Sequence, residues 1–209
     1  MTSCTELMYS YPNLMGRCLL SSIEEVVGRK DYLAILNAAS LSELIETVPP
    51  KNLEKQFHFE KINRIQTALE QQYGTKCGQG LSLRVGRAFF NLTLREFGPQ
   101  VGLSSSAFRL LPLKRKVKAG LESLAEIFNR YSDQYVSVSE NGNLYWIVEQ
   151  CPVCWGERKA YKNCSLTIGF LQEAMYWITS GRQFHIEEQQ CQALGDPTCT
   201  FSIDKKPIE

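Results

Sequence analysis

The stretch FHIEEQQCQALGDPTCTF, residues 184–201, places a carboxylate and two thiols where they can act together. In an extended chain alternate side chains share a face, so Phe184, Ile186 and Glu188 point the same way. Two apolar neighbours predict that this face is buried. A carboxylate there is costly unless it is paired, hydrogen-bonded or bound to a cation. Cys191 ends the strand and Cys199 opens the return strand beyond the Gly195-Asp196-Pro197 turn, so a hairpin brings the two thiols together. Cys164, at the start of the preceding helix, can reach the same place. Zn²⁺ accepts both thiolate sulfur and carboxylate oxygen in a tetrahedral shell. Cys164, Glu188, Cys191 and Cys199 are therefore one candidate zinc site, and the ion would also neutralise Glu188. The competing reading makes Cys191 and Cys199 small buried hydrophobes and turns Glu188 to water by a register shift.

A second thiol pair lies nearby. Cys151-Pro-Val-Cys154 separates two cysteines by two residues, a knuckle shared by metal sites and redox pairs. With Cys191 and Cys199 it makes a four-cysteine site and leaves Glu188 and Cys164 structural. With Cys164 it makes a separate thiol cluster. Six candidates exceed the needs of one four-coordinate ion, and spacing leaves the choice open. A thioredoxin-like role fits poorly, because the motif follows a hairpin and opens no βαβ helix.

Other reactive patterns are sparse. No strand–G-x-G-x-x-G–helix unit is present for a dinucleotide, and Gly78-Gln79-Gly80 is too short for a phosphate loop. The cysteine spacings do not match the ferredoxin runs. The two histidines, His58 and His185, have no evident acid–base partner, and His185 faces away from Glu188. No catalytic residue is assigned, and the chain reads more readily as a binding module than as an enzyme.

The elements that must hold these residues follow from periodicity. Residues 12–48 read as helices: Leu19, Leu20, Ile23, Val26 and Val27 recur at helical spacing, with a stop at Gly28, and a second helix runs from about Lys30 to Ala39. Residues 49–52 hold two prolines and read as a loop. Ile62, Ile65, Leu69 and Tyr73 define a helix ending at Gly74, and another, rich in apolar residues, starts from Gly80. A long connection spans Pro99 to Leu113. An amphipathic helix follows with Val117, Leu121, Leu124 and Ile127 inward, and its basic start reads as a solvated face. From about residue 134 the period changes. Two strands flank Asn141-Gly142, a hairpin signal. A helix then carries Phe170, Leu171, Ala174, Met175 and Ile178, and the strand pair that bears Glu188 closes the chain. The expectation is one α+β domain over residues 1–209, mainly helical over 1–133, with a strand-strand-helix-strand-strand core over 134–209.

Composition sets the outer bounds. The chain has 209 residues, 44% hydrophobic and 22% charged, with a formal net charge of +1. That balance predicts no bulk attraction to nucleic acid or to an anionic membrane. No apolar run approaches a membrane span, and the first sixteen residues lack the pattern of a signal peptide. The expected compartment is the cytosol. Persistent disulfides are rare there, so eight cysteines, five of them after residue 150, favour metal or thiol chemistry.

Residues 164–204 resemble the 4-vinyl reductase domain family. The match uses Cys164 opening a helix with Gly169 behind it, Glu188-x-x-Cys191, Gly195-Asp196 and Cys199. The segment around Cys151 and Cys154 resembles the bacteriochlorophyll-synthesis branch, and YPNLMG, LEQQYG and GQGLSLRVGRAFFN resemble the helical half that precedes the domain. The resemblance implies a fold shared with haem nitric-oxide sensor domains and TRAPP-type vesicle-transport subunits, a helical layer on a twisted antiparallel sheet with a pocket between. In aromatic-sensing transcription activators of this family the matching residues bind a structural zinc, which implies Cys164, Glu188, Cys191 and Cys199 here.

On this reading the chain holds a hydrophobic small molecule, a tetrapyrrole or chlorophyll precursor among the candidates, beside a structural zinc. Tyr145, Trp146, Phe170, Met175 and Trp177 are candidate lining residues. Two alternatives stand beside it: an accessory subunit of (bacterio)chlorophyll 4-vinyl reduction or photosystem biogenesis, and a homodimeric assembly protein without a ligand.

Overall fold

The computed structural model describes residues 8–103 and 105–208; Cys4 and Ser104 lie outside the described residues. Strand β1 (Ser10–Pro12) leads into α1 (Asn13–Val27), α2 (Arg29–Ala38) and the short α3 (Glu43–Glu46). Strand β2 (Lys55–His58) then precedes α4 (Phe59–Tyr73) and α5 (Thr75–Phe97). A 3-10 turn (Gly98–Val101) and the short α6 (Ser106–Arg109) connect to α7 (Leu113–Tyr131). The rest is β3 (Val136–Asn141), β4 (Asn143–Val148), α8 (Ser165–Ile178), β5 (Phe184–Gln190), a 3-10 turn (Gln192–Leu194) and β6 (Cys199–Pro207). The α+β architecture expected from the sequence is the one observed.

The four longer strands form one antiparallel sheet in the order β3-β4-β6-β5. Its inner face is laid down in rows by the register. Val148 pairs with Cys199, Trp146 with Phe201 and Leu144 with Ile203; on the other side Phe201 faces Glu188 and Ile203 faces Ile186. All of these side chains are buried. The alternation expected for Phe184, Ile186 and Glu188 is therefore the one observed, with His185 and Glu187 exposed between them.

The helical layer covers this face. Val117, Leu121, Leu124 and Ile127 of α7 and Phe170, Leu171, Ala174, Met175 and Ile178 of α8 are all buried. Helices α5 and α8 cross at two glycines. A Cβ on Gly86 would lie 2.0 Å from the Leu166 carbonyl oxygen, and one on Gly169 would lie 1.9 Å from that of Leu83. Only hydrogen fits at either position.

Two features depart from the sequence reading. Helix α5 starts at Thr75, not near Gly80, directly after Gly74 at φ 76°. Gly78 lies inside it because a Cβ there would meet the Glu70 backbone at 2.8 Å, so close packing against α4 overrides glycine's weak helix propensity. The sequence reading also lacked the two-stranded β1–β2 sheet. It pairs Tyr11 with Phe57, both buried, in strands of three and four residues, too short to show a period.

Candidate metal centre

Four separate segments deliver six donors to one buried spot. Val148, the last residue of β4, leads through a turn into Cys151 and Cys154; Cys164 caps α8; Glu188 stands on β5; Cys191 follows β5; Cys199 opens β6. All six side chains are at most 5% exposed. Two four-donor groups lie within 4.8 Å: Cys151, Cys154, Cys164 and Cys199, and Cys164, Glu188, Cys191 and Cys199.

The sulfurs crowd closely enough to share one ion. Cys154 Sγ lies 3.2 Å from Cys164, 3.6 Å from Cys191 and 3.7 Å from Cys199. Cys164 Sγ lies 3.5 Å from Cys151 and 3.6 Å from Cys199. A tetrahedron with Zn–S bonds of about 2.3 Å has edges of about 3.8 Å.

Backbone and side-chain bonds hold the donors in place. The Cys164 N–H donates to Glu188 Oε2 at 3.1 Å, and the Gln192 N–H donates to Cys199 Sγ at 3.3 Å. The Cys191 N–H donates to Asp196 Oδ2 at 2.8 Å, which fixes the Gly195-Asp196 turn. Gln192 ties the knuckle to the hairpin: its Oε1 accepts from the Cys151 N–H at 3.0 Å, and its Nε2 donates to the Glu149 and Pro197 carbonyls. Sequence reasoning missed Gln192, since a lone glutamine carries no spacing signal.

The electrostatics call for a cation. Glu188 Oε1 is buried without a hydrogen-bond partner. Burial, then the neighbouring Cys191, push the Glu188 carboxyl up to about 8. Bonds from Cys154, Cys164 and Cys199 hold the Cys151 thiol well below its ordinary value. Contacts from Cys151 and Cys154 push Cys164 and Cys199 upward instead. Without a cation the thiols must share protons; a bound ion would let several ionise together.

The expected pocket residues are dispersed. Trp146 is 1% exposed, lies one row from the thiols on the inner face, and meets Phe128 edge-on at 6.1 Å. Its indole Nε1 has no partner. Phe170 packs against Phe89, Phe90 and Phe128, and Met175 is fully buried. Tyr145, next to Trp146 on the strand, is half-buried on the other face. Trp177 is 36% exposed and stacks on Phe108 at 5.9 Å. At the far end of the inner face a groove of about 560 Å³ opens between Leu113, Val117, Leu144, Met175 and Phe184, rimmed by Lys114, Arg115, Arg182 and Lys206. Of the expected lining residues Met175 alone reaches it. The basic start of α7, read as a solvated face, was its one sequence signal.

No protein-family model matches the chain, and no curated protein matches it. Solved structures do. A doubly substituted Tt H-NOX is 13% identical, with 95% of this chain and 97% of that chain covered at a TM-score of 0.60. An H-NOX protein from S. oneidensis in the Fe(II)NO ligation state is 12% identical, with coverage of 92% and 99% and a TM-score of 0.56. The phenol-responsive sensory domain of the transcription activator PoxR with phenol is 17% identical, with coverage of 72% and 76% and a TM-score of 0.50. At these identities the likeness is one of fold. Among the described residues, no helix is long and apolar enough to cross a membrane.

Proposed function

We propose that the chain is a small-molecule-binding module whose C-terminal sheet is fastened to α8 by a structural zinc ion. The observation that carries the binding reading is the Trp146 indole N–H, buried without a partner on the inner face. A buried donor left unbonded costs about 1–3 kcal/mol, and a ligand acceptor between the layers would remove that cost. Phe128, edge-on to Trp146, and Phe170, which packs on Phe128, suit an apolar body. The occupant is therefore a hydrophobic molecule with one acceptor, a class that includes tetrapyrroles and simple aromatics. That the fold also serves an Fe(II)NO-bound protein and a phenol-responsive domain supports the reading.

Zinc suits the thiol end of the same face. The donors are sulfur-rich, they lie within 4.8 Å of one another in each group of four, and Glu188 Oε1 lacks any other partner. The family resemblance favours Cys164, Glu188, Cys191 and Cys199 as the ligand set. A closed four-ligand ion there would supply cross-linking rather than catalysis. It would join β5, β6 and the start of α8 one row from Trp146.

Native mass spectrometry against the denatured mass tests both parts. One zinc plus an organic mass is the expected result, with visible absorbance identifying a tetrapyrrole. Protein that carries no organic mass and binds none of a panel of phenols and porphyrins would overturn the ligand reading.

A further inference from the structure

The zinc reading leaves two thiols over, and their position is informative. The two candidate groups share Cys164 and Cys199 and differ only in their second pair, Cys151 with Cys154 or Glu188 with Cys191. Two ions bridged by the shared thiolates would satisfy that count. They would also hold donors bound to different ions more than about 5 Å apart when Zn–S bonds are about 2.3 Å. Cys154 and Cys191, one from each pair, lie 3.6 Å apart. Space exists for one ion.

We propose that this is a single-ion centre with two interchangeable donor pairs, in which Cys151 and Cys154 form a dithiol that can be oxidised while the ion stays bound. The proposal rests on the structural-zinc reading and adds a function to it. Cys164 and Cys199 stay on the ion throughout. Glu188 and Cys191 complete its shell when the Cys151–Cys154 pair leaves, and Glu188 Oε1 has no other partner to give up.

The pair also has a route to solvent. Cys154 lines a surface recess of about 320 Å³ with Trp155, Arg158, Gln192 and Asp196, whereas Cys164, Cys191 and Cys199 are fully buried. The oxidant is a low-molecular-weight disulfide. The Cys154 thiolate attacks one of its sulfurs and expels a thiolate. The Cys151 thiolate then attacks the mixed disulfide at Cys154 and expels the second. Two protein thiols become one disulfide, the small disulfide becomes two thiols, and the metal changes neither charge nor number.

The test is native mass spectrometry of zinc-loaded protein, reduced and then treated with oxidised glutathione, with peptide mapping of the product. The wild type should carry one zinc. It should keep that zinc while becoming lighter by two hydrogens, with the new disulfide between Cys151 and Cys154. The double variants Cys151→Ser/Cys154→Ser and Glu188→Gln/Cys191→Ser should each retain one zinc. Two zinc ions in the wild type, zinc expelled on oxidation, or either folded double variant without metal would overturn the proposal. If a double variant fails to fold, the oxidised wild type decides alone. A reduced wild type that binds no zinc at all sinks the structural-zinc reading itself, an outcome distinct from all of these.

Discussion

Glu188 and Trp146 are both buried with one polar atom unbonded, and each should show its cost when removed. Glu188→Gln takes away a carboxyl that burial opposes. In metal-free protein it should melt no lower than wild type, because burial opposes ionisation of the carboxyl and no counterion rewards it there. Thermal melts in excess chelator measure this, and a clear drop for Glu188→Gln would mean that Glu188 Oε1 has a protein partner after all. Trp146→Phe removes only the indole N–H and part of a ring. Its free protein should be close to wild type, while ligand affinity falls several-fold, the worth of a hydrogen bond of about 1 kcal/mol. Titration with whatever ligand co-purifies compares the two proteins. Equal affinities would take Trp146 out of the site. At this scale much was legible. Alternation placed Glu188 inward, and the hairpin placed Cys191 beside Cys199. Which four of six donors close on an ion was not, because Cys151 and Cys154 arrive from a turn whose path only the Gln192 bonds reveal.

Among the elements, the α5–α8 crossing sets the distance between the helical layer and the sheet. It depends on Gly86 and Gly169, each facing a backbone carbonyl of the other helix. Backbone cannot swing aside as a long side chain can. Gly169→Ala should therefore destabilise by about 1–3 kcal/mol or more, the range for overpacking a filled interior. Because Cys164 caps α8, the same change should also loosen the metal centre. Denaturant unfolding and zinc content are the two readouts. Unchanged stability would show that the helices can part without penalty. The sequence marked Gly169 only through family resemblance and marked Gly86 not at all, since close approach leaves no periodic trace. Helix ends at Gly28 and Gly74 were readable for the opposite reason, a local change of backbone direction. The β1–β2 pair was invisible because seven residues in two pieces, with residues 13–54 between them, share no local pattern.

Across the whole molecule, the loop that carries the thiols is anchored to the helical layer by a buried ion pair. Lys159 Nζ lies 2.8 Å from Glu70 Oε2, with side chains 10% and 6% exposed, and Tyr161 and Gln66 donate to the same carboxylate. The Asn163 amide completes the group, its nitrogen facing Glu70 and its oxygen facing Lys159. Burial alone would raise the Glu70 carboxyl, but the bonds from Lys159, Tyr161 and Gln66 outweigh it and hold it below 4.5. A carboxyl lowered on folding adds stability above its unfolded value and loses it as pH falls through the folded one, so the wild type should weaken below about pH 4.5. Lys159→Met leaves a buried carboxylate without its cation, at a cost of about 3–5 kcal/mol near neutral pH. In that variant the lowering due to Lys159 is gone and only the Tyr161 and Gln66 bonds oppose burial, so less stability is tied to the ionised carboxyl. The variant should therefore lose less stability than the wild type as pH falls below about 4.5, and the gap between them should narrow. Urea unfolding of both proteins at about pH 7 and about pH 4 measures the gap. A gap independent of pH would show that Lys159 stabilises the loop by packing alone, and that the thiol loop is held to the helices without this charge.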